Sequence, residues 1–116
     1  MTAETLKGHL DLLLLAAVQL RAAHGYAIAE TLRARSDGAF DLPEGTLYPA
    51  LHRLERGGLL ASRWSEVGGR RRRVYSLTKK GQRALAERHG EWRDFARAVH
   101  AVVDGAVRRR RPSRHI

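Results

Sequence analysis

The chain has 116 residues, enough for one domain with a core of its own, and its 43% hydrophobic content argues against wholesale disorder. A net charge of +10 and a pI near 11.3 point to a polyanionic partner, nucleic acid ahead of an acidic membrane surface. With no cysteine there is no disulfide framework, no thiolate metal site and no cysteine nucleophile, which fits a reducing cytoplasm.

The first predicted helix runs from about Leu6 to Leu20 and is apolar nearly all round: Leu10, Leu13, Leu14 and Ala17 on one side, Leu12, Leu15 and Val18 on another. A helix greasy on every face needs cover on every face, so one side of it awaits a partner. Its longest apolar run, Leu12 to Val18, falls short of the roughly 20 residues of a membrane span. The start of the chain, with Glu4, also lacks the basic opening and cleavage site of a signal peptide, and a soluble, cytoplasmic protein is expected.

Ala22-Ala23-His24-Gly25 reads as a break, and Tyr26 to about Arg35 as a second helix with Tyr26, Ile28, Ala29 and Leu32 inward. Ser36-Asp37-Gly38 is a turn signal, Ala39 to Leu42 a short extended piece, and Pro43 suits the first position of a third helix. In that helix Leu47, Ala50, Leu51 and Leu54 fall at i, i+3, i+4 and i+7, one narrow apolar stripe. The opposite side carries Gly45, Pro49, His52, Arg53 and Arg56, with Thr46 and Tyr48 on the flanks. Pro49 lies within about two turns of the start, where it removes at most one or two backbone bonds and the helix continues. Gly57-Gly58 ends it. Two helices and a third across a short turn follow helix-turn-helix logic.

Two strand-like segments follow, Leu60 to Glu66 and Arg72 to Leu77, around a Gly68-Gly69 hairpin turn. Arg70, Arg71, Arg72 and Arg73 then place four guanidinium groups at the tip and base of a ribbon, where phosphates would relieve their repulsion. Thr78 is a good N-cap for the last helix, and Lys79 and Lys80 oppose its dipole unless they reach an anion. From there Leu85, Trp92, Val99 and Ala106 repeat every seven residues, with Phe95 and Val102 between them and Arg88 interrupting, the seam of an oligomer. Gly105 is expected to end this helix, leaving residues 107–116 as a disordered basic tail.

The stretch Thr46-Leu47-Tyr48-Pro49-Ala50-Leu51-His52-Arg53-Leu54-Glu55, then Gly58-Leu59-Leu60, resembles the recognition helix of the PadR family of winged-helix transcriptional regulators. Gly68-Gly69-Arg70-Arg71 to Tyr75-Ser76-Leu77-Thr78, then Gly81, resembles that family's wing and the start of its last helix, and His24-Gly25-Tyr26 also matches. The likeness runs over roughly residues 8 to 100. It implies a dimer joined by the last helix of one subunit on the first helix of the other, DNA contact by Thr46 and Tyr48, and repression as the usual outcome. Packing of Tyr48 against the wing or Tyr26 is its other role. The resemblance also implies that an aromatic residue of the last helix lines an effector site at the dimer interface. Trp92 stands at a comparable place, as interface core or, with Phe95 and Leu12 or Leu15, as a platform for a planar ligand. The last helix is short by the family's measure, so a small interface is expected.

The expected fold is mainly α with a small β-hairpin wing (α+β): a winged helix-turn-helix domain over residues 1–78, a dimerisation helix over 79–106 and the tail over 107–116. The expected function is sequence-specific binding of double-stranded DNA at an inverted repeat by a homodimer, most simply a repressor answering a small molecule. The expected DNA contacts are Thr46, Tyr48, Pro49, His52, Arg53, Arg56 and Arg70 to Arg73. Dimer or effector residues are Leu12, Leu15, Leu85, Trp92, Phe95, Val99 and Val102. No catalytic residue, cofactor or metal site is expected, because the six histidines lack ligand spacing and no phosphate loop or nucleophile elbow is present. A sequence-independent architectural DNA binder and a protein-interaction module are the alternatives.

Overall fold

The computed structural model describes residues 9–110 and divides the chain into two units, residues 1–86 and 87–116. Helix α1 (Leu10–Leu20) is followed by strand β1 (Ala23–His24), helix α2 (Gly25–Arg35), helix α3 (Glu44–Arg56), strand β2 (Leu60–Val67), strand β3 (Arg70–Leu77) and helix α4 (Lys79–Arg110). Three antiparallel strands in the order β1-β3-β2 form the sheet. With the helices of the first unit it makes a winged helix, the expected α+β class.

The core of the first unit is one cluster: Leu10, Leu14, Leu15, Ala17 and Val18 from α1, Ile28 and Leu32 from α2, Leu47, Ala50, Leu51 and Leu54 from α3, with Leu42, Leu60 and Tyr75. The whole predicted stripe of α3 is therefore inside, and each such leucine contributes roughly 1.5–3 kcal/mol by leaving water. Leu15 is 0% exposed in this core, so it leaves the set of residues that could meet a partner or effector, whereas Leu12 is half-buried. Tyr26, expected inward, is 62% exposed, because the second helix begins at Gly25 and turns Ile28 and Leu32 to the core instead.

The helix ends explain several boundaries. Helix α1 starts at Leu10, with His9 in a turn; the expected start at Leu6 lies outside the described residues. Pro43 is the N-cap of α3 and not its first residue, and its carbonyl accepts from the N–H groups of Thr46 and Leu47. Pro49 sits inside the unbroken helix. The α3 C-terminus closes as a Schellman motif: Gly58, at φ 79°, donates to the Glu55 carbonyl at 3.0 Å and Leu59 donates to that of Leu54 at 2.9 Å. Residues 39–42 are irregular, not extended in a sheet, and the third strand comes from Ala23–His24, which pair with Tyr75 and Val74.

The β2–β3 hairpin turns on Gly68 and Gly69, both at positive φ, in full two-residue register from Val67↔Arg70 to Leu60↔Leu77. Helix α4 opens at Thr78, whose hydroxyl accepts from Gly81 N–H at 3.0 Å. It does not stop at Gly105. It is 32 residues long and runs through Arg110, past the expected end, so residues 107–110 of the expected tail are helical; the remainder of the tail lies outside the described residues. Mid-helix glycine costs only about 1 kcal/mol, which the flanking Ala, Val and Arg residues absorb.

Candidate nucleic-acid interface

With the apolar stripe buried, the outer face of α3 presents Gly45, Pro49, His52, Arg53 and Arg56 to solvent, while Thr46 and Tyr48 are half-buried on its flanks. A Cβ added at Gly45 would meet nothing within 4 Å, so that end of the helix is open to close approach. Tyr48 lies over the start of α2. A Cβ at Gly25 would come within 2.6 Å of its ring and 2.8 Å of its hydroxyl, so only glycine admits the phenol there. Gly25 and Tyr48, which the sequence places in separate motifs, are thus one contact. Just before Gly25, His24 caps α2 by accepting from Ala27 N–H through Nδ1. Burial, then the charge of Arg72, lowers the His24 pKa and keeps that nitrogen free to accept.

Arg53 does not project freely. Both of its terminal nitrogens reach Asp11 Oδ1 of α1, at 3.0 and 2.8 Å, with the guanidinium side chain half exposed. Any polyanion must share it with, or take it from, that carboxylate.

The wing arginines do not form one patch either. Side chains alternate along a strand, so Arg71 and Arg73 share the face of Tyr75 and the core, and Arg70 and Arg72 point the other way. On the core-side face Arg71 lies over the exposed Trp64 ring, 5.3 Å from its centroid. Arg73 is fixed to α3: its Nε donates to Ser62 Oγ at 2.7 Å and a terminal nitrogen donates to both Glu55 oxygens at 3.3 and 3.2 Å. Ser62 Oγ in turn donates to Glu55 Oε2 at 2.5 Å. The Ser62 hydrogen bond holds the Glu55 pKa below the usual value against the opposing effect of burial, with Arg73 assisting.

Glu55, Ser62, Asp11 and Gly25 were not foreseen as part of this surface. The one available signal was position: Glu55 and Arg56 close the last turn of α3 just before the strand that returns beneath it. For Lys80 a phosphate contact and a screened surface position were both open; its Nζ donates to the Gly57 carbonyl at 2.9 Å and so caps α3. A shallow cleft of about 220 Å³ beside the α3 N-terminus, between Tyr26 and Tyr48, is lined by Glu30, Arg33 and Asp41, whose charges pair among themselves. Among the described residues no group of His, Asp and Glu could hold a metal, and no helix is long and apolar enough to cross a membrane.

The second unit is the helical stretch of residues 87–110. It exposes Trp92, Phe95, Val99, Val102, Val103 and Val107. Trp92 and Phe95 form a tilted ring pair 6.2 Å apart. Leu85, the first member of the predicted seam, belongs instead to the first unit and packs on its core.

Comparison with known proteins gives this surface a context. The model of the transcriptional regulator PadR-like family matches residues 14–87. A transcriptional regulator of Mycobacterium tuberculosis is 43% identical over 76 residues, 66% of this chain and 68% of that protein. A crystallised PadR family transcription regulator from Clostridium difficile superposes with a TM-score of 0.72 at 32% identity, over 82% of this chain and 98% of that one. A transcriptional regulator from Clostridium thermocellum superposes with a TM-score of 0.78 at 26% identity, over 85% and 97%.

Proposed function

The chain belongs to the PadR-like family of transcriptional regulators, and from that premise we propose that it is a homodimeric repressor that reads an inverted-repeat operator and is released by a small planar molecule. The observation that carries DNA reading is the solvent-facing row His52, Arg53 and Arg56 opposite a fully buried stripe on the same helix. A major groove admits one helix, and bidentate arginine to guanine is the commonest specific contact. Arg53 and His52 are assigned to bases, Arg56 and the wing arginines Arg70, Arg71 and Arg72 to phosphates, and Thr46, Tyr48 and Pro49 to the close approach of the helix. Residues 1–78 form the DNA-binding part and α4 beyond them the dimerisation element. Two recognition helices in such a dimer sit about 34 Å apart, one turn of DNA.

The dimer rests on the exposed apolar side chains of α4. Six large hydrophobic residues in the span 92–107 are 41–74% exposed, a liability for a monomer and the composition of a seam. The half-buried Leu12 is the α1 residue assigned to the partner's surface.

A labelled duplex from the region upstream of the chain's own coding sequence, beside a scrambled duplex, tests the reading across a salt series. Both should weaken as salt rises, because each phosphate contact releases counterions, and the upstream duplex should stay tighter by about 4 kcal/mol or more. In the same buffers the protein should sediment as a dimer, and Val99→Asp as a monomer with that advantage lost. Coincident curves for the two duplexes, together with binding, would mean either an operator elsewhere or an architectural protein that coats DNA without reading it, and a genome-wide footprint separates the two.

The effector reading has its own measurement. With Trp64→Phe removing the wing fluorophore, planar aromatic compounds should quench Trp92 emission and lower operator affinity together. Unchanged emission across a panel of such compounds would leave Trp92 as interface packing.

A further inference from the structure

The carboxylate of Glu55 is out of place on a surface meant for phosphates. It sits on the last turn of the recognition helix, beside exposed Arg56 and within reach of the wing, and a fixed negative charge there repels the DNA backbone. Nor is it a surface ornament. Its side chain is 24% exposed, and both oxygens are engaged by two residues of the two wing strands, Ser62 of β2 and Arg73 of β3. Ser62 and Tyr75 are cross-strand partners, so the bridge begins where the wing ribbon emerges from the core and ends on the helix. Among the described residues it is the one hydrogen-bonded link between α3 side chains and the wing, and it ties one of the four wing arginines, 43% exposed, to the recognition helix.

We infer that Glu55 is a specificity-determining positioning residue: through Ser62 and Arg73 it fixes the angle of the wing to the recognition helix and withholds Arg73 from phosphates. Deepening the DNA-reading proposal, this inference rests on that reading. An arginine free on a ribbon attaches to any phosphate and rewards every sequence equally. The same arginine pinned to the recognition helix contributes no indiscriminate attraction, and it holds the remaining wing cations in one register relative to the helix. Glu55 thereby gives up general affinity in exchange for discrimination.

The test is a double-mutant cycle read in salt slopes. Arg73→Ala alone should leave the slope of log affinity against log salt on a generic duplex unchanged, because the pinned guanidinium touches no phosphate. Glu55→Gln should tighten generic binding several-fold at low salt and steepen that slope by about one, the signature of one added phosphate contact. Arg73→Ala placed on Glu55→Gln should abolish the added slope. On the operator, Glu55→Gln should cut the preference over generic DNA by tenfold or more.

A slope lowered by about one in Arg73→Ala alone would overturn the assignment, since Arg73 would then already lie on a phosphate. So would an unchanged slope and an unchanged operator preference in Glu55→Gln. If melting curves show Glu55→Gln unfolded, Ser62→Ala loosens the same bridge without altering charge, and it should lower operator preference at constant slope; full preference in that variant counts against the inference. The generic-duplex arms need no operator, so a wild-type protein that prefers no sequence refutes the DNA-reading proposal while the slopes still judge Glu55.

Discussion

Gly81→Ala should lower the stability of the first unit by about 3 kcal/mol, the upper end of what overpacking usually costs. An added Cβ there would stand 2.1 Å from the Leu59 carbonyl oxygen and 2.9 Å from a Leu77 methyl group. The oxygen is held in place, because it accepts from the N–H of Thr78 at 3.2 Å and lies 3.1 Å from the Thr78 hydroxyl. Thr78 is itself tied to the Gly58 carbonyl at 2.6 Å and caps α4 through Gly81 N–H. One methyl group therefore strains the end of the recognition helix, the start of β2 and the start of α4 together. A fall in melting midpoint of roughly 12–24 °C is expected. Gly90→Ala is the matched control: its Cβ would meet nothing, and a helical glycine replaced by alanine should gain about 1 kcal/mol or less. Equal melting points for the two variants would show that the close approach of Leu59 and Gly81 is not as described.

Arg53→Ala should weaken operator binding by about 1–3 kcal/mol, roughly 5- to 150-fold, as loss of a bidentate base contact does, while leaving the fold intact. The second half of that expectation follows from the pair with Asp11, which is half exposed on the arginine side and so worth at most about 1 kcal/mol to stability. The same pair predicts the behaviour of its partner. In Asp11→Asn the guanidinium no longer has to be shared with a carboxylate, and generic duplexes should bind a few-fold tighter. Measured side by side, the two variants separate roles: if Arg53→Ala keeps full operator preference, Arg53 serves to brace α1 against α3 and His52 becomes the base-reading candidate.

What the sequence made legible was whatever periodicity or turn chemistry dictates locally. The Leu47–Leu54 stripe was readable because burial at i, i+3, i+4 and i+7 has a single helical solution, and the hairpin because Gly68-Gly69 supplies two positive φ angles in succession. The features that escaped depend on distant partners. Ala23–His24 carries no strand pattern of its own; it is extended because β3 offers an edge to pair with. Tyr26 was expected inward together with Ile28 and Leu32, yet those two alone fill the inner face of α2 and Tyr26 is left outside. On the outer surface the exposed positions of α3 were legible from the angle of each residue, but the ion pairs that occupy Arg53 and Arg73 join residues 42 and 18 positions apart, beyond any local rule. Gly105 misled because a glycine stops a helix only where the following residues prefer to leave it.

The strict alternation along β3 also limits how this wing can diverge among relatives. Residues added at Gly68-Gly69 lengthen the tip and leave every pairing behind them in place. A single residue inserted between Arg73 and Tyr75 would break the face they share: with the fully buried Tyr75 kept in the core, Arg73 turns away from Glu55, and with Arg73 kept on Glu55, Tyr75 turns away from the core. Length variation in this segment should therefore be confined to the loop or come in pairs, a reading frame imposed on the chain by the pleat of its own sheet.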